Sequence, residues 1–254
     1  MTRAPARLTR GWRVARALVS AHRSAGSDLA LATILAGIAG AANAGGFFAL
    51  GKYTSHMTGY LSQFADNIAV WNLQIALVSA LAVSAFVAGA AFSAILINWA
   101  RGRAGHQQYA LPLAVQGLFM LCFAFGGLLT GAVGQFLALL CLCFIMGMQN
   151  ATITKISGAR IRTTHATGMV TDIGIELGRG LFGRRRPNSG LKANRAKLRI
   201  LLQLVSAFVL GGILGAIGYG VAGFLFSIPL AFVLLALGLP GLIRRAAEGG
   251  RSRF

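Results

Sequence analysis

Long apolar runs separated by short polar stretches set the pattern of this chain. Leu29 to Leu50, Leu73 to Trp99, Tyr109 to Thr130, Val133 to Gln149, Ile200 to Tyr219 and Gly223 to Ile243 are all free of formal charge. A helix of about 20 apolar residues crosses a hydrocarbon core of roughly 30 Å, so each run predicts a membrane-spanning helix, Val133 to Gln149 being the shortest. The pattern therefore predicts an all-α integral membrane protein with six transmembrane helices, three in each half. Residues 28–132 form the first membrane repeat and 133–243 the second, which carries a basic loop at 178–199. Basic segments at 1–27 and 244–254 flank them.

The halves share a motif. Gly40-Ala41-Ala42-Asn43-Ala44 is followed by Ser55-His56-Met57-Thr58-Gly59, and Gly147-Met148-Gln149-Asn150-Ala151 by Thr164-His165-Ala166-Thr167-Gly168. Leu61-Ser62-Gln63 and Val170-Thr171-Asp172 continue the likeness. A repeat on this scale makes each half one structural unit that packs on the other. With an odd number of crossings per half, the second unit enters the membrane from the opposite side. The expectation is two inverted-topology three-helix repeats, with irregular segments after the first helix of each.

Composition agrees with a membrane setting: 56% of residues are hydrophobic and 11% charged, against about 25% charged in soluble domains. The net charge of +19 would suggest nucleic acid in a soluble chain, but its distribution argues otherwise. Arg3, Arg7, Arg10, Arg13, Arg16 and Arg23 precede the first span, and Arg101 and Arg103 follow the second. A dense group runs from Lys155 to Arg199, and Arg244, Arg245, Arg251 and Arg253 follow the sixth span. The remaining connections hold only Lys52. Alternation of this kind is the positive-inside pattern and places both termini in the cytoplasm. Anionic lipid headgroups are the expected partners of the surplus charge, and nucleic acid is not.

Residues 1–27 do not read as a cleavable signal, because the apolar run that follows is too long and lacks a small-residue cleavage site. Leu8, Trp12, Ala15 and Val19 recur at helical spacing, which fits an amphipathic helix on the inner leaflet. A disordered basic tail that sets orientation fits equally. The stretch Arg184 to Gly190 reads as a flexible loop, since Pro187, Asn188, Ser189 and Gly190 break a helix. Gly211, Gly215 and Gly218, like Gly127 and Gly131, form small-residue faces for close helix packing.

Chemistry-bearing candidates are few. Gly46 to Lys52 has the outline of a phosphate loop, but Tyr53 stands where a Ser or Thr should bind magnesium and no strand precedes it. Cys122, Cys141 and Cys143 lack metal-ligand spacing and read as packing residues. Five acidic residues are too few for a convincing paired acid/base or metal site, so no enzyme, metal or cofactor is expected. The repeated motif is the candidate site. Irregular backbone in a membrane is tolerated where it is buried in protein or lines a watery cavity, and helices restarting at Thr58-Gly59 and Thr167-Gly168 would aim their amides there. The lining would be Asn43, His56, Thr58, Gly59, Gln149, Asn150, Thr164, His165, Thr167 and Gly168. Capping of broken helices by the same Asn and Thr residues is the alternative. His56 and His165 could carry protons or simply hydrogen-bond. Asp66, Asp172 and Glu176, just past the motifs, are ionisable candidates.

At these motifs the chain resembles the YoaK-type family of bacterial multi-pass membrane proteins, a domain of unknown function, over about residues 30–243. The specific pieces are Ser55 to Gly59, Gly147 to Ala151 and Arg162 to Gly168. Asn43 stands where family members usually look like G-x-x-D-A, and Tyr60 where they look like T-G-N. The resemblance implies a six-helix protein of the bacterial inner membrane and brings no established substrate. The residues themselves point to a small secondary transporter or permease for a small polar or anionic solute. A non-transporting assembly or lipid-sensing protein is the rival reading, an enzyme the weakest, and oligomerisation stays open.

Overall fold

The computed structural model of the protein describes residues 25–103, 108–128, 131–156, 166–186 and 190–249. These form α1 (Ala25–Leu50), α2 (Met57–Ala69), α3 (Leu73–Arg103), α4 (Ala110–Ala124), α5 (Ala132–Ile156), α6 (Ala166–Arg185), α7 (Arg195–Ala222) and α8 (Ser227–Gly249). Short 3-10 turns at Phe125–Leu128 and Gly223–Phe226 close α4 and lead into α8. Among the described residues no strand forms. The all-helical expectation is met.

Four stretches are apolar and long enough to cross a membrane: Gly26–Phe48, Leu73–Gly102, Ala132–Lys155 and Arg195–Leu242, the last running through α7 into α8. Ala110–Ala124 is a shorter apolar helix. Apolar side chains also face outward along these helices, among them Leu77, Val87 and Ile95 on α3 and Leu210, Leu214 and Ile217 on α7. So much contiguous apolar surface would drive aggregation in water and suits a hydrocarbon surrounding. The chain is a helical, membrane-type protein.

Helix ends depart from the hydropathy boundaries where local chemistry takes over. α4 stops at Ala124 as the chain turns through Gly126 and Gly127, whereas α5 continues past Gln149 to Ile156. α7 starts at Arg195, ahead of the apolar run, because the Asn194 side chain caps it by accepting from the Lys197 amide at 3.0 Å. α6 reaches Arg185, so the basic loop is narrower than 178–199. Gly183 allows this return, since a Cβ there would meet the Leu191 carbonyl oxygen at 2.0 Å.

The helices pair across the two halves. α1 lies on α7, α3 on α5 and α4 on α8, while α2 packs on α3 and α6 on α7. Glycines set the crossings. A Cβ on Gly40 would fall 2.0 Å from the Phe208 carbonyl oxygen, and one on Gly147 equally close to that of Phe86. The reverse contacts match: Gly211 meets the Gly37 carbonyl and Gly89 that of Phe144. In the third pair Gly117 abuts Leu235 and the Ala231 carbonyl, and Gly238 abuts Ala114 and the Ala110 carbonyl. Each contact maps onto its counterpart in the other half, with one constant shift along the chain for each pair of equivalent helices. Backbones that approach this closely are held by dispersion contacts, which matter most in lipid, where burying apolar surface against protein gains little.

Within this frame Leu31, Leu35, Leu113, Met120, Phe123, Leu142, Ile145, Met146 and Leu204 form the buried core. One polar chain crosses it. Gln116 Nε2 donates to Gln149 Oε1 at 3.0 Å, and Gln149 Nε2 donates to the Leu35 carbonyl, so α4, α5 and α1 are tied together. Ser93 and Thr152 share a further buried hydrogen bond of 2.8 Å between α3 and α5.

Candidate functional site

The first repeated motif builds a fold-back at the end of α1. Gly51 adopts φ +66, a conformation that favours glycine, and its amide donates to the Phe47 carbonyl at 2.8 Å. This is the αL type of helix stop, and the Lys52 amide reaches the Gly46 carbonyl at 3.3 Å. Tyr53 stacks on Phe47, ring centroids 5.0 Å apart. From there the chain doubles back along α1. Gly46 makes room, since a Cβ would lie 2.8 Å from both the Lys52 carbonyl oxygen and the Thr54 methyl.

Asn43 ends the retreat. Its Oδ1 accepts from the Ser55 amide at 3.2 Å and from the Ser55 hydroxyl at 2.9 Å. α2 then starts at the level of Asn43, two turns back from the end of α1. His56 precedes its first turn without a side-chain cap, and the imidazole lies across Gly59, where a Cβ would be 2.0 Å from Cδ2. Gly59 therefore leaves the room that the His56 imidazole occupies.

α2 and α3 form an antiparallel hairpin. Tyr60 is buried with Ala82, Leu139 and Cys143, and Gln63 Oε1 accepts from the Ser79 hydroxyl at 2.9 Å. The turn runs through Trp71, which is exposed and holds φ 57. The Asn72 amide closes it on the Asn67 carbonyl at 2.8 Å, and Asn72 Oδ1 faces the Ile75 amide at 3.5 Å. In the second half Asn194 takes the place of Asn72. Its amide donates to Glu176 Oε2 at 2.8 Å.

Glu176 is fully buried in a charged cluster. Arg179 Nη1 lies 3.1 Å and Lys197 Nζ 3.9 Å from its Oε1, and Lys197 also pairs with Asp172 Oδ2 at 3.2 Å. Asp172 and Glu176 thus clamp α6 to the start of α7. Asp66 is exposed on α2.

A hollow of about 230 Å³ opens beside the fold-back, lined by Gly51, Lys52, Tyr53, His56, Gly59, Tyr60 and Gln63. Of the expected lining residues it brings together His56 and Gly59, with Asn43 holding the adjoining segment. Thr58 and Thr167 are exposed in the first turns of α2 and α6, with Gly168 half-buried beside Thr167. Gln149 is in the core and Asn150 half-buried on α5. Thr164 and His165 lie outside the described residues. Among the described residues no cluster of three or more His, Cys, Asp or Glu side chains could hold a metal ion.

Sequence reasoning passed over Lys52, Tyr53, Tyr60 and Gln63 as lining residues, and Gln116 in the core. Gln116 carried a usable signal, as the lone amide in an otherwise apolar span. Lys52 carried another, as the one basic residue on the non-basic side.

Apolar helices that pair across two repeated halves, with a short helix folded back after the first, define a polytopic membrane-type architecture. Over residues 31–239 the chain matches the family described as "Protein of unknown function (DUF1275)". It belongs to that family, which includes the YoaK-type proteins it resembles. No curated protein and no solved structure matches it.

Proposed function

We propose that this protein is a small secondary carrier for a small polar or anionic solute, built from two inverted three-helix repeats in a bacterial inner membrane. Its six spans are α1, α3, α4, α5, α7 and α8, with α2 and α6 as short helices that re-enter beside the first span of each half. Both termini face the cytoplasm, in keeping with the alternating loop charge.

The observation that carries this reading is the exchange of equivalent contacts between halves. Gly40 of the first motif seats on α7, and Gly147 of the second seats on the corresponding residues of α3. Such reciprocity is what a pseudo-two-fold axis produces. With three spans per half that axis lies in the membrane plane, the arrangement of many secondary transporters.

The fold-back supports a site at depth. From Leu73 to Trp99 α3 rises about 40 Å at 1.5 Å per residue, close to a bilayer with its headgroups. Trp71 and Trp99 then fall at the two interfaces, where tryptophan is enriched. α2 descends from the Trp71 turn by about 20 Å, so its amino end and the hollow lie well inside the bilayer. Irregular backbone at that depth belongs beside a protein-lined, water-filled space.

Uptake into proteoliposomes carrying the purified protein, run against a panel of small polar and anionic metabolites, tests the proposal. Saturable uptake of at least one solute above protein-free vesicles is expected. Its absence across the panel, with correctly folded protein, would favour the assembly or lipid-sensing reading.

A further inference from the structure

We infer that the hollow beside the fold-back is a binding site for a small oxyanion, a phosphate, sulfate or carboxylate group, held by Lys52 and His56. This rests on the carrier reading and narrows its solute class. Two basic side chains line the hollow, and its lining contains no carboxylate. Asp66 is exposed one turn beyond Gln63 and is not part of the lining. A cation is therefore disfavoured and an anion is not.

Two independent features single out Lys52. In sequence it is the one Lys or Arg in the connections on the side that the charge pattern leaves non-basic. Setting orientation needs no lysine there. In the structure the left-handed stop at Gly51 turns it back, half-buried, to the same hollow as His56. The imidazole is placed by Gly59, whose missing Cβ leaves the space it occupies. Gln63 lines the same wall, its side-chain amide bonded to the Ser79 hydroxyl. The uncapped first-turn amides of α2 add to the positive field but do not define the site.

Size limits the ligand. A volume of 230 Å³ equals that of seven or eight waters at about 30 Å³ each, below the roughly 300–1,000 Å³ of drug-sized sites. Gly46 is helical, so the G-x-x-x-x-G-K outline is not a phosphate loop. Phosphate chemistry could come from free solute or from an anionic lipid headgroup.

The test is thermal melting of the full-length protein in a phosphate-free neutral detergent, titrated with inorganic phosphate and with acetate at constant ionic strength. Wild type should show a saturable rise in Tm. Lys52→Gln should weaken the response roughly tenfold or more, as expected for losing a charged hydrogen bond, and His56→Asn should weaken it less. Lys52→Arg should retain it, which separates lost charge from misfolding. The triple change Arg184→Gln, Arg185→Gln, Arg186→Gln should leave it intact. No saturable rise in wild type, or a rise unaffected by Lys52→Gln and His56→Asn, would overturn the inference. Adding phosphatidylglycerol distinguishes the sources: loss of the phosphate response assigns the site to a lipid headgroup, and persistence assigns it to free oxyanion. Anion binding without uptake of any panel solute would refute the carrier alone. Uptake of a neutral solute with no anion response would refute this site alone.

Discussion

Gly40→Ala and Gly147→Ala add one methyl group each, and the crossings make that methyl costly. The new Cβ would sit 2.0 Å from the carbonyl oxygen of Phe208 or Phe86. Ordinary carbon–oxygen contact is at about 3.4 Å, so the helices must part by more than 1 Å at the crossing. A gap of that size forfeits up to about half the dispersion well of every atom pair nearby, and overpacking a tight contact costs about 1–3 kcal/mol. The clashing atoms are backbone on both sides, which puts the expectation at the upper end, about 3 kcal/mol for each variant. Gly174→Ala is the control. It lies in α6 with nothing within 4 Å of its Cβ, so alanine should stabilise by about 0.5–1 kcal/mol through helix propensity alone. At about 2–4 °C per kcal/mol for a chain of this size, Gly40→Ala and Gly147→Ala should each melt roughly 6–12 °C lower in detergent, with Gly174→Ala unchanged or slightly higher. If both motif variants melt with the control, the crossings are not backbone-to-backbone and the argument from equivalent contacts fails.

Asn43→Ala removes the acceptor for both Ser55 donors and should cost about 1–2 kcal/mol, while Asn43→Asp keeps the acceptor oxygen and should cost less; melting curves of the pair check this. Gln149→Leu leaves Gln116 buried without its acceptor, at about 1–3 kcal/mol, and adding Gln116→Leu should recover much of the loss, an outcome a double-mutant cycle reads directly. Glu176→Ala removes the acceptor of the Asn194 amide and the partner of Arg179, leaving Lys197 only its Asp172 pair, so the α6–α7 hairpin should exchange amide hydrogens faster around residues 190–197 while the α2–α3 hairpin is unaffected.

Hydropathy located the apolar helices to within about two turns at each end, because span length and loop charge are written locally. Their ends moved where single side chains intervened: Asn194 extended α7 into polar sequence, and Gly126 and Gly127 cut α4 short. The repeat was visible in full, yet its meaning was not. Gly40 and Gly147 read as part of a candidate binding motif, whereas they mark where helices of opposite halves touch. Periodicity along one helix cannot reveal which distant helix it meets. Asn43 and Ser55 carried the same ambiguity, since an Asn near a helix end can cap, bind or brace. Lys52 belongs in sequence to the outline of a failed nucleotide motif, and only the fold-back brings it to His56. The alternation of charge nonetheless contained that residue as its exception.

Inversion of the two halves is the central claim, and the two hairpin turns test it. In a background with Cys122, Cys141 and Cys143 replaced, single cysteines at Trp71 and at Lys192 lie in the turns that follow α2 and α6. A membrane-impermeant maleimide applied to intact cells should modify the cysteine at 71 and spare that at 192, with the reverse in inside-out vesicles. Modification of both from the same side would mean that the halves are not inverted, and the carrier built on them would fall.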